Sequence, residues 1–332
     1  MESTRCNLCD ADDYAPLLDA VTRWGSSDET FHIVRCSNCG LAYLNPRPEE
    51  DVILDFYPDD YHRRDFSVGE LGDQRLFGLP WRQAIERKYA PLLRLQNPGR
   101  ILDVGCGDGF LLKYLEEKGW EVVGIEPGNS VCARETLGLD VFQGPLEAAD
   151  FAAGSFDVVT LSHVLEHLHD PAATLQRVRY LLRDNGLVHI EVPNIASMEA
   201  RIFGDAWIGI AAPVHLYLFA PTTLQAIVEK VGFDVFESGF AAASPNESAG
   251  FSESLRFSLA DRGWYRRENS IPAESARPSV AVDGSGRWRM LRRLLHGSEA
   301  KLFYALSGLM NKVGRGANIY LIGRKQGNVA AA

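Results

Sequence analysis

The sequence predicts an α/β chain, built on a doubly wound, mostly parallel sheet and preceded by a small N-terminal appendage, on three observations. From Arg100 onward, short apolar runs alternate with segments of helical spacing, as strands covered on both faces by crossover helices do. The first run, Ile101-Leu102-Asp103-Val104, enters a loop with glycine at every second position, Gly105, Gly107 and Gly109. Residues 110–118 beyond it have helical periodicity. Before the alternation begins, two C-x2-C pairs, Cys6/Cys9 and Cys36/Cys39, stand 26 residues apart.

Composition narrows the class. The 332 residues suffice for one large domain and something small, at roughly 150 residues per domain. With 46% hydrophobic and 23% charged residues, there is ample material for a core. A formal net charge of -10 argues against phosphate-backbone binding, which is built from clustered Lys and Arg, so nucleic acid is not an expected partner. The start, Met1-Glu2-Ser3-Thr4-Arg5, lacks the basic and apolar regions of a signal peptide, and no apolar run is long enough to span a bilayer. The expected location is therefore cytoplasmic, with no transmembrane segment.

In chain order, the cysteines come first. Each C-x2-C makes a tight knuckle, and two knuckles supply the four thiolates of a closed, structural Zn2+ site formed by Cys6, Cys9, Cys36 and Cys39. Free thiols, disulfides and iron are the alternatives. Residues 1–45, the predicted zinc ribbon, carry seven carboxylates against three arginines, so their expected work is packing or substrate contact. Asn45-Pro46-Arg47-Pro48 reads as an extended linker, because a residue before proline is pushed out of the α region. Residues 46–97 form a helical linker or cap. A short helix starts at Pro48-Glu49-Glu50 and stops near Tyr57-Pro58; a longer one, 79–95, carries Trp81, Ile85, Tyr89, Leu92 and Leu93.

The main domain is predicted over 98–240 and 316–325. Its second strand is 121–125, ending at Glu126; a helix over 130–137 stops at Gly138; strands follow at 139–143 and 156–161. Asp170-Pro171 caps a helix carrying Leu175, Val178, Leu181 and Leu182, with Gly186 as its stop. Then come a strand at 187–192, a short helix at 198–203, a loop over 207–219, a helix at 222–231 and strands at 234–238 and 318–322. Residues 241–315 read as an insertion. Its first part, 241–286, is rich in Ser, Ala, Gly and Glu and reads as mobile. Its second part, 287–310, forms amphipathic helices edged by Arg287, Arg289, Arg292 and Arg293, which either pack on the domain or lie against anionic lipid as a peripheral membrane contact.

In an open parallel sheet, ligands bind beyond the C-terminal strand ends at the switch point, which singles out 103–109, Glu126-Pro127 and 162–167. Glu126, 17 residues past Gly109, is placed to accept both hydroxyls of a ribose. The loop reads G-x-G-x-G and not the dinucleotide G-x-G-x-x-G, and Asp103 stands two residues before it. A carboxylate there repels a pyrophosphate but suits a ligand carrying ammonium and sulfonium groups.

On these residues the chain resembles the class I S-adenosylmethionine-dependent methyltransferases. The resemblance rests on Asp103-Val104-Gly105-Cys106-Gly107-Asp108-Gly109, on Glu126, and on Phe156-Asp157-Val158-Val159 with Ser162-His163-Val164-Leu165-Glu166-His167. It implies a Rossmann-like doubly wound sheet, mostly parallel with the last strand antiparallel. It also implies a cofactor site of Asp103, Gly105, Cys106, Gly107, Gly109, Glu126, Pro127, Leu146, Ser162 and His163, with Leu146 and Glu147 flanking the adenine and His163 near the methyl group. The cysteine ribbon, Asn45-Pro46-Arg47-Pro48 and Pro213-Val214-His215-Leu216-Tyr217-Leu218-Phe219 are similar to a bacterial subgroup tied to sugar, polysaccharide or secondary-metabolite tailoring.

The expected activity is O-methylation of a saccharide, nucleotide sugar, glycan or related small metabolite. A histidine with a pKa near neutrality is the expected base, in the order His163, His167, His215, with Tyr217 orienting the acceptor. His163-x-x-Glu166-His167 also fits the inverted zincin signature H-x-x-E-H, but it follows a buried strand and not a long helix, which disfavours a protease. Two other classes remain as alternatives. One is a scaffold using the ribbon and the amphipathic helices; the other is a nicotinamide-dependent oxidoreductase. The sequence leaves the oligomeric state open.

Overall fold

The computed structural model of the protein describes residues 1–22, 29–57, 68–76, 79–241, 254–255, 257–258, 306 and 308–327. At the N-terminus, β1 (Tyr14–Val21), β2 (Thr30–Cys36) and β3 (Ala42–Leu44) pair antiparallel in sequence order. Two short strands, β4 (Arg75–Leu76) and β5 (Leu79–Pro80), lead into helix α1 (Trp81–Leu95). Trp81 is fully buried and its ring meets Phe110 with centroids 5.5 Å apart, which fixes α1 against the glycine loop's helix, α2 (Phe110–Glu116).

The main sheet is built from β6 (Arg100–Val104), β7 (Glu121–Glu126), β8 (Val141–Gln143), β9 (Phe156–Ser162) and β10 (Leu182–Pro193). Helix α3 (Pro171–Leu181) precedes β10 and α4 (Met198–Phe203) follows it. Strand β11 (Tyr217–Leu218) leaves this sheet altogether. Helix α5 (Pro221–Lys230), β12 (Phe233–Phe240) and β13 (Asn318–Lys325) complete the described elements. The seven strands run in the order β12-β13-β10-β9-β6-β7-β8. All neighbours are parallel except β13, which is antiparallel to both β10 and β12, as the expected fold class requires.

The order of strands sets the site. The chain winds from β6 outward through β7 and β8, then returns to lay β9 and β10 on β6's other edge, so the crevice lies between the C-terminal ends of β6 and β9. Phe156, Val158, Val159 and Leu161 of β9 and Val188, Ile190 and Val192 of β10 are buried, consistent with strands covered on both faces.

Several local expectations are corrected. The helix drawn over 130–137 is a π-turn of five residues, Cys132–Thr136, and β8 begins at Val141. The helix after Pro48 is reduced to a 3-10 turn, Ile53–Phe56. Helix α3 ends at Leu181, before Gly186, because Leu182 already pairs with Phe156; the register then shifts before Leu187, and Asn185 takes up a left-handed φ of 62°. The mobile segment over 241–286 and the amphipathic, lipid-facing helices over 287–310 lie outside the described residues, apart from 241, 254–255, 257–258, 306 and 308–310. Among the described residues no helix is long and apolar enough to cross a membrane.

The N-terminal sheet takes its fourth strand from the far side of the sequence. Tyr217 and Leu218 of β11 pair antiparallel with Tyr43 and Ala42 of β3. Arg47, buried beside this junction, donates from Nε to Glu2 at 2.8 Å and from Nη1 to the His169 carbonyl at 2.8 Å and the Tyr217 hydroxyl at 3.1 Å. Asn7, between the first two cysteines, donates to the Asp170 carboxylate and accepts from the Ala172 N–H, both at 2.9 Å, at the start of α3. Asp170 itself caps α3 by accepting from the Ala173 N–H at 2.9 Å, as its sequence position implies.

Candidate active site

The glycine loop leaves β6 with left-handed φ at Gly105 (70°), Gly107 (52°) and Gly109 (81°). At Gly105 two constraints coincide, since a Cβ there would also come within 2.5 Å of Val164 Cγ2. Loop and 162–167 segment therefore touch. Cys106 is buried with Sγ against Gly124, where an added Cβ would lie 2.8 Å away, and burial raises its thiol pKa, as suits a side chain that packs the turn.

Two buried carboxylates end the first two strands. Asp103 accepts from the Thr160 hydroxyl at 2.5 Å; burial raises its pKa to about 7, with the Thr160 bond and the Lys88 charge opposing that rise. Glu126 accepts from the backbone N–H of Gly107 at 2.9 Å and of Gly128 at 2.8 Å, tying the loop to the end of β7. Pro127 beside it is exposed, and Leu146, after β8, is buried at the start of a 3-10 turn. Glu147 instead faces α3, accepting from Thr174 Oγ1 at 3.3 Å.

Beyond β9 lies a polar network. Lys88 of α1 donates to Ser162 Oγ at 2.7 Å and pairs with Glu191 of β10 at 3.2 Å. His163, with a left-handed φ of 55°, bridges two carboxylates: Nδ1 lies 3.2 Å from Glu166 and Nε2 3.3 Å from Glu191. Burial alone would lower the His163 pKa, but the bonds to Glu166 and then Glu191 outweigh it and bring it to about 9. The same pairing works on the acids. Burial pushes Glu166 up, and the His163 hydrogen bond and charge hold it at about 2; Glu191 is likewise held at about 2, by Lys88 and His163 against burial.

His167 and His215 stand edge to face with ring centroids 4.6 Å apart. His167 Nδ1 donates to the Val214 carbonyl at 3.0 Å with the Tyr57 hydroxyl at 2.8 Å, and His215 Nδ1 donates to the Gly209 carbonyl at 2.9 Å. Burial first, and then the neighbouring His215, lowers His167 to about 3; burial also lowers His215. The inverted zincin arrangement does not form. Leu165–His167 is a single 3-10 turn, His163 turns toward Glu166 and Glu191, and the partner of His167 is His215. Tyr217, expected to orient the acceptor, is buried at the N-terminal sheet, where its hydroxyl is engaged by the His169 carbonyl at 3.2 Å and by Arg47.

The structure thus brings Asp103, the glycine loop and Glu126 to one set of strand ends, and Ser162, His163, His167 and His215 to the neighbouring side. Lys88, Glu191 and Tyr57 escaped the sequence reading. Two carried a signal: Lys88 sits on the apolar face of α1 with Ile85, Tyr89 and Leu92, and Glu191 interrupts a buried strand at the alternate position to His189. At the N-terminus none of the four cysteines is in a disulfide, and their sulfurs lie within 4.8 Å of one another, Cys6 to Cys39 at 3.4 Å and Cys9 to Cys36 at 3.5 Å.

Comparison with known proteins bears on the central part of the chain. Residues 79–238 match a family described as "Methyltransferase domain". The ubiquinone biosynthesis O-methyltransferase of Cereibacter sphaeroides (strain ATCC 17025) is 34% identical over 148 residues, 41% of this chain and 60% of that protein. That of Nitrosococcus oceani is 38% identical over 103 residues, 29% of this chain and 44% of that protein. The matches thus span less than two thirds of these curated relatives. A solved S-adenosylmethionine-dependent methyltransferase from Archaeoglobus fulgidus is 20% identical with a TM-score of 0.45, covering 74% of this chain and 94% of that one. The matched residues 79–238, just under half of the chain, hold the glycine loop, both strand-end carboxylates and the His163 network, and over them the chain is similar to methyltransferase domains.

Proposed function

We propose that this protein transfers a methyl group from S-adenosylmethionine to a hydroxyl oxygen of a small-molecule acceptor. The observation that carries this reading is the pair of buried carboxylates, Asp103 and Glu126, on either side of a loop whose glycines take left-handed φ at the strand ends. That donor set fits the cofactor: Glu126 accepts ribose hydroxyls, Asp103 accepts the ammonium group, Gly105, Cys106, Gly107 and Gly109 shape the loop, and Pro127 and Leu146 border the base. When bound, the cofactor supplies an electrophilic methyl on a sulfonium. Ser162 and His163 stand between it and the acceptor side. His163, raised to about 9 by its pairing with Glu166 and Glu191, is suited to donating a hydrogen bond and orienting the acceptor. The ring nitrogens left over on that side are Nε2 of His167 and of His215.

The names of the relatives point to an O-methyl product, whereas the saccharide class expected from the ribbon takes no support from them. For the ribbon we propose structural Zn2+ on Cys6, Cys9, Cys36 and Cys39. Sulfurs about 2.3 Å from a tetrahedral ion stand about 3.8 Å apart, close to the spacing found here and far from a disulfide's.

Calorimetry with S-adenosylhomocysteine and with NADH tests the donor, and radiolabelled methyl transfer to phenols, catechols and sugars tests the acceptor. Binding of S-adenosylhomocysteine alone, with label in an alkali-stable ether, is the expected outcome. Binding of NADH, or of neither, would overturn the reading.

A further inference from the structure

We propose that Glu166, His167 and His215 form a second metal site, of the two-histidine, one-carboxylate kind, and that a divalent cation there binds the acceptor hydroxyl. One ligand atom from each of the three lies within 4.8 Å of the other two. His167 comes from the turn after β9 and His215 from the loop before β11, nearly fifty residues on, so the sequence motif alone gave the wrong second histidine.

The hydrogen bonds around the trio are of the kind that supports metal ligands. A carbonyl can only accept, so the Gly209 carbonyl fixes the hydrogen on His215 Nδ1; His167 Nδ1 faces the Val214 carbonyl at 3.0 Å and the Tyr57 hydroxyl at 2.8 Å, and the metal-binding tautomer is the one that gives its hydrogen to the carbonyl. Each Nε2 then carries a lone pair, and a backbone carbonyl on the far nitrogen is the usual support of a metal-bound imidazole. Glu166 supplies the third observation. Its Oε1 faces His163, while Oε2 is buried with no hydrogen-bond partner among the described residues, a costly state for a carboxylate oxygen unless a cation completes it. The scaffold is also rigid, because the Leu216 N–H donates to the Glu166 carbonyl at 2.7 Å and holds the His215 loop on the turn that carries the other two groups.

Three protein ligands leave at least one position open, which distinguishes a reactive site from the closed four-thiolate kind. Imidazole and carboxylate suit Zn2+, Fe2+ or Mn2+ and not the softer ions. What the cation does rests on the methyltransferase reading; whether it binds does not. A cation on the acceptor oxygen lowers the pKa of that hydroxyl, and its proton passes to water. The oxygen's electron pair forms the new O–C bond as the S–C bond breaks, so the positive charge of the donor is neutralised and S-adenosylhomocysteine leaves.

The test uses the full chain, dialysed against Zn2+ and then metal-free buffer, with metal counted by mass spectrometry beside S-adenosylhomocysteine affinity. Wild type should keep about two equivalents, and His215→Ala and Glu166→Gln about one each, the ribbon's, with cofactor affinity within about threefold of wild type. Wild type holding no more than one equivalent, or variants matching it at two, overturns the second site. If one variant loses cofactor affinity through misfolding, the other and the wild-type count decide. Failure of wild type to bind S-adenosylhomocysteine would strike the methyltransferase reading alone.

Discussion

Lowering the pH should weaken cofactor binding through a single group, Asp103. Its pKa in the free protein is raised to about 7 by burial, whereas a bound ligand that places an ammonium beside it requires the carboxylate. At pH 7 about half the molecules must therefore release a proton on binding, and at pH 6 about nine in ten. Affinity for S-adenosylhomocysteine should fall towards tenfold per unit, about 1.4 kcal/mol, below pH 7, and about thirtyfold overall between well above pH 7 and pH 5.5. His163, raised to about 9, stays protonated across that window and adds no slope. Calorimetry in buffers of different ionisation heat at pH 6 and 7 reads the released proton directly, and Asp103→Asn should bind weakly with no release and no slope. Wild type showing no net proton release at pH 6, or Asp103→Asn keeping the wild-type slope, would refute the assignment. For folding the sign is opposite: with a folded pKa above the ordinary 3.8, Asp103's own contribution is fullest below about pH 4 and is lost as pH rises through 7.

Glu126→Ala should weaken S-adenosylhomocysteine binding by about ten- to a hundredfold, since it removes the ribose acceptor and frees the N–H groups of Gly107 and Gly128; an unchanged calorimetric affinity would mean another group holds the ribose. Lys88→Met leaves Glu191 paired with His163 and without its lysine, and should cost about 3 kcal/mol in chemical denaturation, against near neutrality if the pair is idle. Cys9→Ser should release the ribbon's zinc and lower the melting temperature while S-adenosylhomocysteine still binds; retention of the metal would remove the four-thiolate assignment.

The parallel strands were legible because burial on both faces writes them as apolar runs closed by turn residues. Residues 101–104 and 156–161 are recovered almost without shift in β6 and β9, and the short helix at 198–203 coincides with α4. Element ends were less legible where tertiary pairing overrides local signals: Gly186 marks no helix stop because β10 captures the chain at Leu182. The ribbon strands went unread, as cysteine spacing announces the knuckles and says nothing of the hairpin between them. Within the site, residues contiguous with the glycine loop or the 162–167 motif were found. Lys88 and Glu191 meet only because α1 crosses the ends of β9 and β10, and His215 reaches Glu166 only through the loop before β11, juxtapositions that no local window contains.

The N-terminal sheet and the turn bearing Glu166 and His167 are joined by a relay of hydrogen bonds. The Leu44 N–H donates to the Leu216 carbonyl at 2.9 Å, extending the β3–β11 pairing by one residue, and the Leu216 N–H goes on to the Glu166 carbonyl at 2.7 Å. Two hydrogen bonds thus connect a strand between the cysteine knuckles and the linker to the turn bearing Glu166 and His167, with His215 beside the relay. Arg47 anchors the other side by holding Glu2, the His169 carbonyl and Tyr217 together. Buried residues of the ribbon, Cys6, Leu8, Cys36 and Tyr43, belong to the same apolar core as Leu165, Leu216 and Phe219. Loosening the ribbon should therefore reach the turn bearing Glu166 and His167 through hydrogen bonds, whereas Asp103, Glu126 and the glycine loop meet it through the shared apolar core at Val104, Ile125 and Leu146. A ribbon that merely tethered a partner would have no need of this relay; one that sets the position of His215 requires it.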